Sequence, residues 1–319
     1  LRLVSDAQLD DNFGVSVACD GDLNGDGYDD LAVGAWNYFD NGDGAVFVYL
    51  GGPAGLQDPL VLRYEDEKSG SARFGGNVAF GDVNNDGFID LLASRETTGD
   101  GGVDVYFGSA AFSPLAADVA ILSPQPHQGG HFGEFLAVGD VDSDGVDDVV
   151  VTQQGGWYDT VRAFAFFGDA LQPVGMSREI VLPADAHAPD GCTIGDVDAV
   201  VGNEVIVRFS TDSRDRWLVV YSAFEEVQRL EVEGIGAVVP VGDVDGDGLG
   251  DLAVRGVGGT FRLHHGSARG VEPRPQVTRG ADPHGRLGTA FAPLGDLNQD
   301  GYDEFVVGAP LEEGGLGRA

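Results

Sequence analysis

One short signature, Gly-Asp-Val/Leu-Asx, recurs along the 319 residues and limits the fold more than any other feature. Its aspartates are Asp22, Asp82, Asp140, Asp196, Asp243 and Asp296, at steps of 60, 58, 56, 47 and 53 residues. Self-similarity at a near-fixed spacing marks a repeat architecture, and a period near 50 fits the four-stranded blade of a β-propeller better than the shorter coil of a solenoid. Each period breaks into the same four β-type runs. In the second period they cover 74–80, 91–94, 102–108 and 118–122, bounded by Gly, Asp, Pro and Ser clusters that supply turn conformations. No stretch keeps a helical period. The chain is therefore predicted to be all-β, a propeller of four-stranded antiparallel blades with six repeats visible and a seventh possible if the chain continues.

The two ends complement each other. Residues 1–4, Leu-Arg-Leu-Val, precede Phe13-Gly14 as residues 60–63 precede Phe74-Gly75, and so read as an outer fourth strand without its blade. The sixth repeat supplies strands around 290–292 and 304–308 and then runs out. Residues 1–319 are expected to form one propeller domain in which residues 1–12 give the outer strand of the last blade and its connection. Such closure removes the unpaired sheet edges that all-β proteins must otherwise protect. The start has neither an initiator Met nor the apolar core of a signal peptide, so the sequence is expected to begin inside a larger or processed protein.

Charge excludes whole classes of partner. With 53 acidic residues against 18 basic ones, the net charge of -35 rules against nucleic acid and anionic membrane surfaces. No apolar run approaches the roughly 18 residues of a membrane span, so no membrane insertion is expected. Cys19 and Cys192 lie far apart without a metal-binding spacing and read as two buried thiols.

The turns between first and second strands carry the chemistry. In the first, Asp22, Asn24, Asp26 and Asp30 place side-chain oxygens at positions 1, 3, 5 and 9, with the Tyr28 carbonyl at position 7. An EF-hand opens the same way, with a glycine at position 6 to wrap the chain round a cation, but it continues to a Glu at position 12 and a helix. Neither follows here. The nine-residue pattern returns at Asp82, Asn84, Asp86, Phe88 and Asp90, and at Asp140, Asp142, Asp144, Val146 and Asp148. It recurs at Asp243, Asp245, Asp247, Leu249 and Asp251, and at Asp296, Asn298, Asp300, Tyr302 and Glu304. Tight Asp-Gly hairpins would explain the middle of each loop, but not a carboxylate three residues further on. These five loops bring 17 carboxylates together, an oxygen-only set that suits about five Ca2+ ions, with no His or Cys to suggest zinc or copper. The fourth repeat keeps Asp196, Asp198 and Glu204 but has Val200 at position 5, and is expected to be metal-free.

Phe13-Gly14 before the loop and Gly34-Ala35-Trp36 after it resemble the FG-GAP repeats of the integrin α-subunit propeller, as do Phe74-Gly75, Phe132-Gly133 and Gly308-Ala309-Pro310. Ile235-Gly236 and Leu287-Gly288 are near variants, the fourth repeat lacks the Phe-Gly pair, and the second to fifth lack a proper Gly-Ala-Pro. The resemblance implies an extracellular or cell-surface, calcium-binding module for adhesion or ligand binding.

Antiparallel strands put all the acidic loops on one face. The other face receives Trp36, Tyr38 and Phe39 from the first repeat and Trp157 and Tyr158 from the third, which makes Trp36, Tyr38, Trp157 and Tyr158 the candidate contacts for a protein or glycan ligand. The alternative is a calcium-dependent polysaccharide lyase or hydrolase, or a lectin, on the same scaffold. His127, His131 and His187 fall in blade connections on that face. A lyase acting on uronates needs cationic groups, however, and Lys68 is the single lysine. No nucleophile motif, phosphate loop or dinucleotide fingerprint is present, so a non-enzymatic module is expected.

Overall fold

The computed structural model describes residues 12–19, 21–38, 43–64, 72–95, 101–113, 116–125, 131–154, 161–168, 177–200, 202–211, 216–232, 238–256, 259–279, 287–288 and 290–309. Five repeats each fold into a four-stranded antiparallel sheet. The first is β1 (Val17–Cys19), β2 (Leu31–Ala35), β3 (Ala45–Tyr49) and β4 (Leu60–Arg63), and the second is β5 (Val78–Gly81), β6 (Asp90–Arg95), β7 (Gly102–Tyr106) and β8 (Val119–Ile121). The third blade comprises β9 (His131–Gly139), β10 (Asp148–Gln154), β11 (Arg162–Phe166) and β12 (Ser177–Ile180). The fourth comprises β13 (Ala188–Gly195), β14 (Glu204–Ser210), β15 (Arg216–Ser222) and β16 (Glu225–Glu231). In the fifth, β17 (Val238–Gly242), β18 (Asp251–Arg255) and β19 (Thr260–His264) are followed by a short hairpin, β20 (Gly266–Ser267) and β21 (Gly270–Val271), before β22 (Gln276–Arg279) completes the sheet. The sixth repeat gives only β23 (Ala290–Gly295) and β24 (Glu304–Gly308) among the described residues.

The expected count of six blades is thus corrected to five, with a two-stranded remnant. Within the sixth repeat the described residues end at Ala309, one residue after β24. The expected contribution of residues 1–4 falls outside the described residues. No helix among the described residues is long and apolar enough to cross a membrane.

The chain divides into two compact units, residues 1–139 with 144–184, and residues 140–143 with 185–319. In the first unit β1 packs against β5 and β5 against β9, and in the second β13 packs against β17 and β17 against β23. First strands therefore lie innermost, as in a propeller. β7 lies between two blades, with Tyr106 turned to the first and Val103 and Val105 to the third, and it is buried along its whole length, as is β3. Val46, Val48 and Leu62 meet Phe74, Leu91 and Tyr106 between the first two blades, and Leu92, Val103 and Val105 meet Phe132, Val149 and Phe164 between the next two. In the second unit Ile206, Leu218 and Val220 pack on Val238, Leu252 and Val254.

The Phe-Gly and Gly-Ala pairs acquire a physical meaning here. Phe74 and Phe132 are fully buried wedges between blades, and the glycines after them take positive φ, 80° at Gly75 and 96° at Gly133. A Cβ on Gly34 would collide with the Gly75 carbonyl of the next blade, so neither residue tolerates a side chain. One expectation fails at the inner strand. Cys19 is exposed, because along β1 only Ala18 turns into the core, whereas burial pushes the Cys192 thiol up to about 12.

Candidate metal centres

Four loops share one internal hydrogen-bond pattern. The position-6 glycine N–H donates to Oδ2 of the position-1 aspartate: Gly27 to Asp22 at 2.7 Å, Gly87 to Asp82 at 3.0 Å, Gly248 to Asp243 at 2.7 Å and Gly301 to Asp296 at 2.8 Å. The position-5 N–H donates to Oδ1 of the same residue at 3.0–3.1 Å in all four. Position 5 in turn accepts from the N–H of Tyr28, Phe88, Leu249 and Tyr302 at position 7. The third loop, residues 140–148, is divided between the two units, and there the Val146 N–H donates to Asp144 Oδ1 at 2.9 Å.

This wrapping requires left-handed backbone at two positions. Position 6 has φ of 86° at Gly27 and 91° at Gly301, as the motif predicts, but position 4 is also positive, including non-glycine residues Asn85 at 56°, Ser143 at 65° and Gln299 at 61°.

Position 9 has a second role that the sequence did not disclose. Asp30, Asp90 and Asp251 are at most 1% exposed, and each carboxylate bridges two backbone N–H groups. Asp30 accepts from Leu23 at 2.8 Å and Gly51 at 2.6 Å, Asp90 from Val83 at 3.0 Å and Gly108 at 2.9 Å, and Asp251 from Val244 at 3.0 Å and Gly266 at 2.8 Å. Gly168 donates likewise to Asp148 at 2.9 Å. The residue thus ties the loop start to the end of the third strand. The periodic glycine at that end was the signal in the sequence.

Burial pushes these carboxyls upward despite their N–H partners. Asp90 rises to about 7, from burial first and then the charges of Asp86 and Asp82, while Asp30 and Asp251 are raised for the same leading reason. A divalent cation would offset this cost, since an adjacent opposite charge favours the ionised form. The donor chemistry fits as well. Carboxylate oxygens of Asp243, Asp245 and Asp247 lie within 4.8 Å of one another, which matches donors about 2.4 Å from one shared ion.

The fourth loop differs as its residues suggest. Val200 N–H donates to Asp198 Oδ1 at 2.6 Å, and Glu204, 1% exposed, accepts from the Val197 N–H at 2.9 Å and the Ser222 hydroxyl at 3.0 Å. Position 9 therefore keeps its structural bridge where position 5 has lost its oxygen. The fifth loop corrects an expectation: a histidine does enter the acidic cluster, for His265 Nδ1 stands 3.1 Å from Asp245 Oδ2 and 3.3 Å from Asp251 Oδ2. It lies well outside the nine-residue window, so only folding brings it there.

At the opposite end of the first unit's sheets, Val15, Trp36, Arg73, Gly76, Asn77, Glu134 and Phe135 line a cavity of about 370 Å3. The Arg73 guanidinium lies 5.0 Å from the Trp36 ring centre, and Tyr38 packs edge-on against Phe47 at 5.0 Å. His131 begins β9, paired with Gln154, and the His187 N–H donates to the Ser210 carbonyl. Phe39, Trp157, Tyr158, His127 and Lys68 lie outside the described residues.

The FG-GAP repeat family matches residues 13–49 and 287–319. Integrin alpha-4 of Xenopus laevis is 35% identical over 150 residues, 45% of this chain and 14% of that protein. Integrin alpha-7 of Homo sapiens is 37% identical over 149 residues, 45% of this chain and 12% of that protein. The phosphatidylinositol-glycan-specific phospholipase D of Rattus norvegicus is 34% identical over 152 residues, 43% of this chain and 18% of that protein. The chain thus spans less than a fifth of the length of these relatives. A crystal structure of BBS1N in complex with ARL6DN, soaked with lead, superposes with a TM-score of 0.59 over 93% of this chain and 77% of that one, at 13% identity, a likeness of fold. Blades, motifs and relatives agree: this chain is a β-propeller that carries FG-GAP repeats at residues 13–49 and 287–319 and is similar to the integrin α-subunits.

Proposed function

We propose that this chain is a calcium-stabilised, extracellular ligand-binding module of the integrin type. The loops beginning at Asp22, Asp82, Asp140, Asp243 and Asp296 hold Ca2+, through the side chains at positions 1, 3, 5 and 9 and the carbonyl at position 7, and the loop at Asp196 holds none. One observation carries this reading. Four loops of different sequence reach the same side-chain-to-backbone hydrogen-bond pattern, with donor sets that charge repulsion and burial leave in need of a cation.

The end of the blades away from these loops supports the binding half of the proposal. A cavity beside Trp36 and Arg73 is lined by an aromatic plane and the guanidinium stacked on it, a combination suited to a protein or glycan surface. The module acts without catalysis, by presenting that surface on a scaffold made rigid by its ions.

Calorimetric titration of the chelator-treated chain with Ca2+, paired with melting curves, tests the metal half. Binding of about five ions and a melting temperature that rises with Ca2+ concentration are expected, because a ligand that binds only the native state stabilises it by mass action. A melting curve indifferent to excess chelator would remove calcium from the proposal.

A further inference from the structure

The glycine that caps the position-9 carboxylate follows Leu50 in the first blade, Phe107 in the second and Phe167 in the third, but His265 in the fifth. An imidazole thus occupies a place that is apolar in the first three blades. Its Nδ1 is shielded from solvent and makes no hydrogen bond, although carboxylate oxygens of Asp245 and Asp251 stand 3.1 and 3.3 Å away. The ring nitrogen thus stands in contact with two carboxylates and is hydrogen-bonded to neither.

The three donor atoms fall within 4.8 Å of one another. Zinc binds nitrogen and carboxylate oxygen at about 2.0–2.2 Å, so neighbouring donors around it are spaced roughly 3.0 Å in an octahedron and 3.4 Å in a tetrahedron. The spacings at His265 lie in that interval. Asp251 is fully buried and fixed by the N–H groups of Val244 and Gly266, which gives the cluster one rigid arm. The Gln276 amide stands 3.1 Å from the far ring nitrogen, Nε2. With its carbonyl turned to the ring, an exchange of ends that amides allow, it accepts the Nε2 proton and leaves Nδ1 with a bare lone pair.

We propose that the fifth loop is a mixed nitrogen–oxygen site, in which His265 Nδ1 joins Asp245 and Asp251 to hold a zinc-class divalent ion in preference to calcium. The inference rests on the reading of these loops as cation sites. Carboxylates alone suit Ca2+, whereas one imidazole shifts affinity toward the later first-row ions. Asp245 belongs both to this group and to the oxygen triad with Asp243 and Asp247, so the two kinds of ion compete for the loop.

The test uses the full chain in millimolar Ca2+, titrated with Co2+ as a coloured substitute for Zn2+, then with Zn2+ itself. One equivalent of Co2+ is expected to be retained, with a visible absorption band that Zn2+ abolishes. His265→Leu, which installs the residue of the first blade, should weaken Co2+ binding at least tenfold while calcium binding at the other loops and the melting temperature in Ca2+ persist. Leu50→His should add a second equivalent. Failure of the wild-type chain to retain Co2+, or retention unchanged in His265→Leu, overturns the inference and leaves a plain histidine–aspartate ion pair. Calcium calorimetry on both proteins separates the two readings: loss of all Ca2+ binding would sink the general proposal, whereas loss of Co2+ alone sinks only this one.

Discussion

Asp303 clasps Asp243: its carboxylate accepts the Asp243 N–H at 2.9 Å, and its own N–H donates to the Asp243 carbonyl at 2.8 Å. Residue eight of one acidic loop thereby holds residue one of the loop before it. In the first unit Asp147 does the same to Asp82, at 3.0 and 3.2 Å. The fourth and fifth loops keep only the backbone half of the contact, from Gly250 N–H to the Asp196 carbonyl at 2.8 Å. Were position 1 to hold a cation as proposed, each clasp would couple its binding in one blade to the seating of the next.

Asp147→Ala should therefore act on a loop to which it does not belong. Leaving the Asp82 N–H without its carboxylate should cost about 1 kcal/mol in chemical denaturation. It should also weaken the calcium step assigned to the second loop, which Asp82→Ala would identify. Reduced stability with every calcium step unchanged would show that the clasp is structural only.

The bridging role of position 9 is separable from any metal. In excess chelator, Asp90→Ala should lower stability by about 2–4 kcal/mol, because the Val83 and Gly108 N–H groups both lose their acceptor inside the fold. Asp90→Asn, which retains one acceptor oxygen, should fall between. Equal denaturation midpoints for wild type and Asp90→Ala in chelator would mean that the carboxylate serves as a ligand alone.

Glu204 gives a pH signature outside the proposed metal loops. Burial, reinforced by Asp198 and Asp196, raises its carboxyl from 4.5 to about 7 against the opposing bonds from Val197 and Ser222. A raised folded-state pKa contributes stability that is complete below the unfolded value and is lost as pH climbs through the folded one. Glu204→Gln mimics the protonated acid, donating to the Ser222 hydroxyl and accepting from Val197. In chelator, the variant should match wild type near pH 4 and exceed it at pH 8 by on the order of 1–3 kcal/mol. A difference that does not grow between these pH values would contradict the assignment.

Trp36 and Arg73 offer the most direct test of the ligand end. Once a protein or glycan ligand has been selected by array screening, Trp36→Ala should weaken its binding by about 2 kcal/mol or more if the ring is an anchor. Arg73→Ala should have a smaller effect, since it removes the stacked cation but not the aromatic plane. Calcium stoichiometry should stay constant in both. Full binding by both variants would move the ligand elsewhere on the molecule.

The sequence alone determined the architecture because a propeller blade is a local unit, written within each period. Strand runs, loop positions 1 to 9 and the buried Phe-Gly wedges are all spelled by neighbouring residues, and β5 to β8 fall within a few residues of their predicted runs. Its six repeats give five four-stranded blades among the described residues, because a repeat signature needs only the first two strands, and β23 and β24 are those of the sixth. Contacts between distant residues were the part left to tertiary structure. Gly108 capping Asp90, Asp303 holding Asp243 and His265 entering the loop of Asp245 each join segments 14 to 60 residues apart. Their separation follows from chain reversals and blade stacking, whose offsets vary with every connection, so no fixed sequence spacing marks them. A motif specifies which atoms a loop can offer; only the packed blades decide which further groups stand close enough to join them.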